Sequence, residues 1–191
     1  PQLPRATGSG IYFTNLRKQM ERSGHDQAAV CALQDDCAFT GLPPNRLYPV
    51  KFKTDELPFP VPGMSDVMPY DSTRYGDMSP EALSLWTRAF RATLTRAAED
   101  FRPDVVIPHH LWMLTSLAVE LFPEAKSIGV CQYTDLRQAM LNPDLKERYV
   151  TNIHKLDMIL SLCETHPDDI CPIHSSELTR VMPLGGGFYG D

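Results

Sequence analysis

The 191 residues, 21.5 kDa, suffice for one medium domain with a sizeable core, which at this size hides roughly two thirds of the surface of the unfolded chain. Apolar residues at 42% and charged residues at 22% exclude disordered and fibrous classes and indicate an ordinary soluble globular chain. Lys and Arg number 18 against 24 Asp and Glu, and the net charge of −6 argues against a nucleic-acid partner and against a polybasic membrane anchor.

Gly8-Ser9-Gly10 opens a stretch in which Phe13, Leu16 and Met20 recur at helical spacing. Gly24 then suits a C-terminal cap, so the pattern predicts a short first helix. Residues 28–33 form a compact apolar run, the mark of a buried strand. Residues 34–79 are proline-rich and lack any periodicity long enough for a helix. Within them, 48–52 reads as a strand, and 57–70 (LPFPVPGMSDVMPY) as a long loop. Prolines lower the entropy lost on ordering, and the interleaved apolar side chains need a surface to pack on, so an ordered loop is expected.

Ser79 is an N-cap candidate and Pro80 suits the first turn. Leu83, Trp86, Phe90, Leu94, Ala97 and Phe101 follow on one helical face, and Pro103 stops the helix. Next come a strand over 104–108 ending at His109-His110, a helix over 111–122, and a strand over 126–132 ending at Tyr133-Thr134-Asp135. Asn142 is expected to cap a helix starting at Pro143, with Leu145, Tyr149, Ile153 and Leu156 turned inward. A strand over 157–163, a short helix from Pro167 and a strand over 179–184 precede Gly185-Gly186-Gly187.

Strands that are continuous apolar runs, alternating with helices, predict an α/β fold, a Rossmann-like doubly wound parallel sheet with helices on both faces. Ligands in such sheets bind beyond the carboxyl ends of the strands. There is no internal repeat and no low-complexity tract. Cys31, Cys37, Cys131, Cys163 and Cys171 are odd in number and form no Cys-x-x-Cys, which suggests a reducing, cytoplasmic compartment. No apolar run approaches the ~20 residues of a spanning helix, and the opening Pro1-Gln2-Leu3-Pro4-Arg5 does not read as a signal peptide.

Several residues carry chemistry. Gly8, Ser9 and Gly10 lead into a helix N-terminus, which suits a phosphate, although Gly-x-Gly is also a common plain helix entry. His109 and His110 follow a strand and point opposite ways, so at most one faces a crevice; the alternative is a structural strand-end histidine. Arg137 can clamp a phosphate or carboxylate, and Asp135 can accept from a hydroxyl, or the two can form a salt bridge that fixes the loop. His25, His154 and His174 have no partner spacing and read as structural.

Gly8 to Leu16 together with Glu21-Arg22-Ser23-Gly24-His25 resembles the glycine-rich loop, first helix and Arg-Gly-His turn of the retaining glycosyltransferases of family 4. The stretch Phe101-Arg102-Pro103-Asp104-Val105-Val106 before His109-His110 is similar to that family's strand ending in a cleft histidine. Cys131-Gln132-Tyr133-Thr134-Asp135-Leu136-Arg137-Gln138 resembles a His-Gly-Thr-Asp-Leu-Arg-Gln stretch of one branch, with Gln132-Tyr133 standing where that branch has His-Gly. Val181 to Phe188 is similar to the strand and turn that leave the N-terminal half.

The resemblance implies one half of a GT-B enzyme, with residues 1–191 as its N-terminal, acceptor-side domain. The family's first strand is not found in residues 1–7, and its nucleotide-binding half with paired glutamates lies outside this sequence. The implied reaction moves a sugar from a nucleotide-diphosphate sugar to a hydroxyl acceptor, itself a sugar or a lipid-linked molecule. No metal and no organic cofactor is expected. Expected partners are the small-molecule donor and acceptor, the chain's own C-terminal domain, no nucleic acid, and a peripheral membrane contact of the full enzyme.

By the same resemblance His109 is the catalytic histidine, hydrogen-bonding the sugar and stabilising charge near the anomeric carbon. Gly8, Ser9 and Gly10 line the donor diphosphate side, and Thr134, Asp135 and Arg137 contact substrate. His110 and Trp112 pack or line the acceptor side. In the proline-rich loop Phe59, Met64, Met68 and Tyr70 offer apolar faces to the acceptor, or else cap the core beside Trp86.

Two other readings stand beside this one. A Rossmann-like half can bind a sugar or nucleotide without turning it over. His166-Pro167-Asp168-Asp169 resembles the zinc motif of N-acetyl-sugar deacetylases, but Ile170 stands where that family has Glu, and the same residues suit a capped helix.

Overall fold

A computed structural model describes residues 7–34, 41–162, 166–175 and 181–183, and shows a mixed α/β architecture with small parallel sheets. The chain divides at Arg102 and Pro103 into two units. Cys37, Cys163, the triple glycine and the side chain of His166 lie outside the described residues.

In the first unit, helix α1 (Gly8–Arg22) begins where the Thr7 hydroxyl accepts from the Gly10 amide at 3.1 Å. It ends as the sequence predicts. Gly24 takes φ 80°, its amide donates to the Glu21 carbonyl at 3.0 Å, and the His25 amide reaches back to Met20 at 3.1 Å. Strand β1 (Ala29–Gln34) pairs in parallel with β2 (Leu47–Phe52), Ala29 opposite Leu47. Pro49 lacks the N–H of an interior strand residue, and among the described residues β2 has only β1 as a strand neighbour.

Residues 57–70 contain no helix, and part of them packs inward while Val67 stands exposed. Leu57 and Val61 are each 1% exposed. The two-residue strands β3 (Pro62–Gly63) and β4 (Thr73–Arg74) pair in parallel. A Cβ on Gly63 would lie 2.6 Å from Met68 Cγ and 3.1 Å from the Ser65 carbonyl oxygen, so any larger residue there has to push Met68 aside. The loop is tied to the carboxyl ends of both longer strands. Gln34, last in β1, donates its side-chain amide to the Asp71 carbonyl at 2.9 Å. Lys53, just past β2, meets the Asp71 carboxylate at 2.6 Å.

Helix α2 (Pro80–Phe101) starts where the Ser79 hydroxyl accepts from the Ala82 amide at 3.2 Å, and stops where Arg102 turns left-handed (φ 49°) ahead of Pro103. Of its predicted face, Leu83, Trp86, Phe90, Leu94 and Ala97 are buried, and Phe101 at the end is half-buried. The Trp86 and Phe90 rings pack at 4.4 Å, and Phe52 bridges Phe90 to Phe59 of the loop, its ring lying edge-on to Phe59 at 5.7 Å. Each large side chain so buried contributes about 1.5–3 kcal/mol.

In the second unit, β5 (Val105–Val106), β6 (Lys126–Cys131), β7 (Met158–Ser161) and β8 (Val181–Pro183) form one parallel sheet in that order. Helix α3 (Met113–Leu121) links β5 to β6. Between β6 and β7 run two helices, α4 (Thr134–Leu141) and α5 (Pro143–Tyr149), and α6 (His166–His174) precedes β8.

Three points of the sequence pattern are corrected here. The first helix after β6 is α4, an element absent from the sequence reading. The helix from Pro143 ends at Tyr149, and Ile153 belongs to a separate 3-10 turn, Ile153–Lys155. Asn142 does not cap α5 with its side chain; its amide donates instead to Gln138 Oε1 at 2.8 Å. The side chain is held by the preceding helix, so it cannot also reach the amides of the next one.

Candidate functional site

The carboxyl ends of β5 and β6 carry the polar residues singled out in the sequence. Pairing continues past β5: the Val130 amide donates to the Pro108 carbonyl at 2.9 Å and the His110 amide to the Val130 carbonyl at 2.9 Å. His110 then turns left-handed, φ 66°. Its carbonyl accepts from the Trp112 amide at 2.8 Å and from the Thr115 hydroxyl, which swings the chain from the sheet into α3.

The neighbouring turn is built in a parallel way. Tyr133, just before α4, has φ 68° and ψ −39°, a region where side chains other than glycine are strained. The two turns meet through side chains. Gln132 Nε2 lies 3.5 Å from His109 Nδ1, and Thr134 Oγ1 lies 3.4 Å from His110 Nδ1. Asp135, in the first turn of α4, takes the Leu111 amide on Oδ2 at 2.6 Å and the Gln132 amide on Oδ1 at 3.1 Å.

The electrostatics follow from enclosure. His109 and His110 are half-buried, and burial holds both well below the usual histidine range, with His110 also opposing a charge on His109. Both imidazoles are therefore neutral at neutral pH, able to give or take a hydrogen bond but not to bring a fixed positive charge. Burial pushes Asp135 up to about 6, against the pull of the Leu111 and Gln132 amides. Burial and the Asp135 charge raise the Cys131 thiol, which points at Oδ1 from 3.7 Å and is inert as a nucleophile.

His109, His110, Thr134 and Asp135 are thus brought together. Asp135 is 0% exposed, with its oxygens on backbone amides, and Trp112 is buried at 2%. Arg137 is exposed on α4. Gly8, Ser9 and Gly10 belong to the first unit and form the first turn of α1 rather than a loop before it, with the Gly10 amide already bonded to Thr7. Ser9 Oγ lies 3.2 Å from Thr7 Oγ1. Met64 is buried at 6%, while Met68 and Tyr70 are half-buried.

The sequence reading missed Gln132 as the partner of His109 and the Leu111 amide as the partner of Asp135. The one local signal was an acid in a first helical turn after a strand. Among the described residues no group of three or more His, Cys, Asp or Glu is placed to hold a metal ion, and no helix is long and apolar enough to cross a membrane. Compared with known proteins, the sequence matches no family model and no curated protein.

Proposed function

We propose that this chain is the N-terminal, acceptor-side half of a retaining glycosyltransferase of GT-B architecture, one that transfers a sugar from a nucleotide-diphosphate donor to a hydroxyl acceptor. The observation that carries the reading is the meeting of His109-His110 and Gln132–Asp135 at the carboxyl ends of two adjacent parallel strands, where α/β sheets bind their ligands.

Two further features support it. Strand pairing is parallel within each unit, β1 with β2 in the first and β5–β6–β7–β8 in the second, as expected of sheets whose strands are linked through helices. Tyr133 occupies the position where the similar branch has glycine, and its φ of 68° is one that glycine adopts freely.

In this reading His109 faces the sugar as a neutral hydrogen-bonding group. The test is His109→Ala and His109→Gln in the complete enzyme, assayed for nucleotide release with uridine-, guanosine- and adenosine-diphosphate sugars. Turnover should fall far more than thermal stability. An alanine variant that melts early while its folded fraction keeps full specific activity assigns the histidine to structure and sinks the reading.

A further inference from the structure

The sequence offers Asp135 as a group that accepts from a hydroxyl or pairs with Arg137, and its geometry points elsewhere. The carboxylate is 0% exposed. Oδ2 takes the Leu111 amide at 2.6 Å and Oδ1 takes the Gln132 amide at 3.1 Å, with the Cys131 thiol at 3.7 Å from the same oxygen. A ligand would have to displace one of these bonds to reach it.

What those bonds hold is specific. Leu111 follows His110, whose φ is 66°, and Gln132 precedes Tyr133, whose φ is 68°. Two strained residues on adjacent strand ends therefore each border an amide fixed by one carboxylate, which lies 24 residues beyond Leu111 in sequence. Such conformations persist only where the surroundings over-determine them. The ring contacts depend on the same carboxylate. Gln132, whose amide Asp135 holds, carries the side chain that meets His109 Nδ1 at 3.5 Å. Thr134, the residue before Asp135, meets His110 Nδ1 at 3.4 Å.

We infer that Asp135 is a positioning residue: its buried carboxylate clamps the His110 turn to the Tyr133 turn and so sets the orientation of the His109 and His110 rings. The catalytic meaning of that orientation rests on reading His109 as the substrate-facing histidine, whereas the clamp itself does not. A charged acceptor suits the role because bonds from amides to a carboxylate are shorter and stronger than neutral ones, and because carboxylate geometry serves two donors arriving from different turns.

The experiment uses isotope-labelled chain, wild type with Asp135→Ala and Asp135→Asn. Amide exchange is read at Leu111 and Gln132, and the ring ¹³C–¹H signals are read at all histidines. In the wild type both amides should exchange slowly. In Asp135→Ala both should accelerate by about tenfold or more relative to β6, and the His109 and His110 signals should move while those of exposed His25 and His154 stay. Asp135→Asn keeps one acceptor oxygen, so it should retain Leu111 protection and return the His110 signal toward its wild-type position.

A wild-type Leu111 amide that exchanges like an exposed one overturns the clamp, and this measurement decides the matter even where the alanine variant does not fold. So does a folded alanine variant with unmoved His109 and His110 signals. In the complete enzyme, Asp135→Asn should lower kcat and leave KM for the donor unchanged; a raised KM with unchanged kcat makes Asp135 a ligand contact instead. Absence of transferase activity in the wild type would remove the functional reading and leave the spectroscopic result standing.

Discussion

The Ser116 hydroxyl and the backbone of Asn152 hold each other across 36 residues of sequence. Ser116 Oγ accepts from the Asn152 amide at 3.1 Å and from the Thr151 amide at 3.0 Å, while Asn152 Nδ2 donates to the Ser116 carbonyl at 3.2 Å. Ser116 is 2% exposed. Replacing it by alanine leaves two amides without their acceptor, and each such loss costs about 1–3 kcal/mol. Denaturant unfolding of Ser116→Ala should show a midpoint well below wild type with an unchanged slope.

Gly129 sits where β6 passes under Leu111 and Leu156. An added Cβ would lie 2.6 Å from Leu156 Cδ1 and 2.8 Å from Leu111 Cδ2, and both leucines are almost fully buried. Their methyls have nowhere to go, so Gly129→Ala should destabilise by about 1–3 kcal/mol through overpacking. The pair Gly129→Ala with Leu156→Ala should lose clearly less than the sum of the two single losses. Strict additivity in thermal unfolding would refute the packing account.

Tyr133 offers the opposite outcome. Its φ of 68° and ψ of −39° strain a tyrosine that is 51% exposed. Tyr133→Gly relieves the strain but frees the unfolded chain, and relief should win by about 0.5–1 kcal/mol. A higher melting temperature for the glycine variant checks this. A lower one shows that the ring's own contacts outweigh the backbone strain.

His174 makes stability depend on pH. It is 6% exposed, and among the described residues neither ring nitrogen has a hydrogen-bond partner. Burial, with the nearby Lys146 charge, lowers it to about 4. The unfolded chain protonates this histidine near its ordinary value, before the folded chain does. Its contribution is therefore complete above about pH 6.5 and is lost as pH falls toward 4. The depressed values of His109 and His110 act in the same direction, and Asp135, raised to about 6, acts in the other. Comparing wild type with His174→Leu isolates one group: the variant should lose less stability between pH 6.5 and pH 4.5. Equal losses would show that His174 is already protonated in the folded chain.

The proline-rich loop separates into packed and free side chains. Met64 is 6% exposed and Val67 is 85% exposed. Met64→Ser should cost about 2–5 kcal/mol, the range for truncating a buried methionine, and Val67→Ser should stay within about 0.5 kcal/mol. If Met64→Ser leaves stability intact, the side chain is available to an acceptor rather than committed to the core.

Much of the fold was legible because its signals are local. The α2 face from Leu83 to Ala97, the Ser79 cap, the Gly24 stop and the apolar strands each depend on residues within a few positions of one another. The strand-end positions of His109, His110 and Thr134 followed from the same patterning. Helix α4 escaped because it is eight residues long and shows only a brief apolar spacing; Asp135 and Gln138 are buried in it alongside Leu136 and Ala139. What only the tertiary structure decided is which groups meet. Asp135 reaches Leu111, Gln132 reaches His109, Ser116 reaches Asn152, and Phe59 reaches Phe52, each through a strand order or chain return that sequence spacing does not encode. The same holds for charge. Asp135 and His174 have their ordinary affinity for protons in an extended chain, and only the desolvation that packing imposes moves one up and the other down.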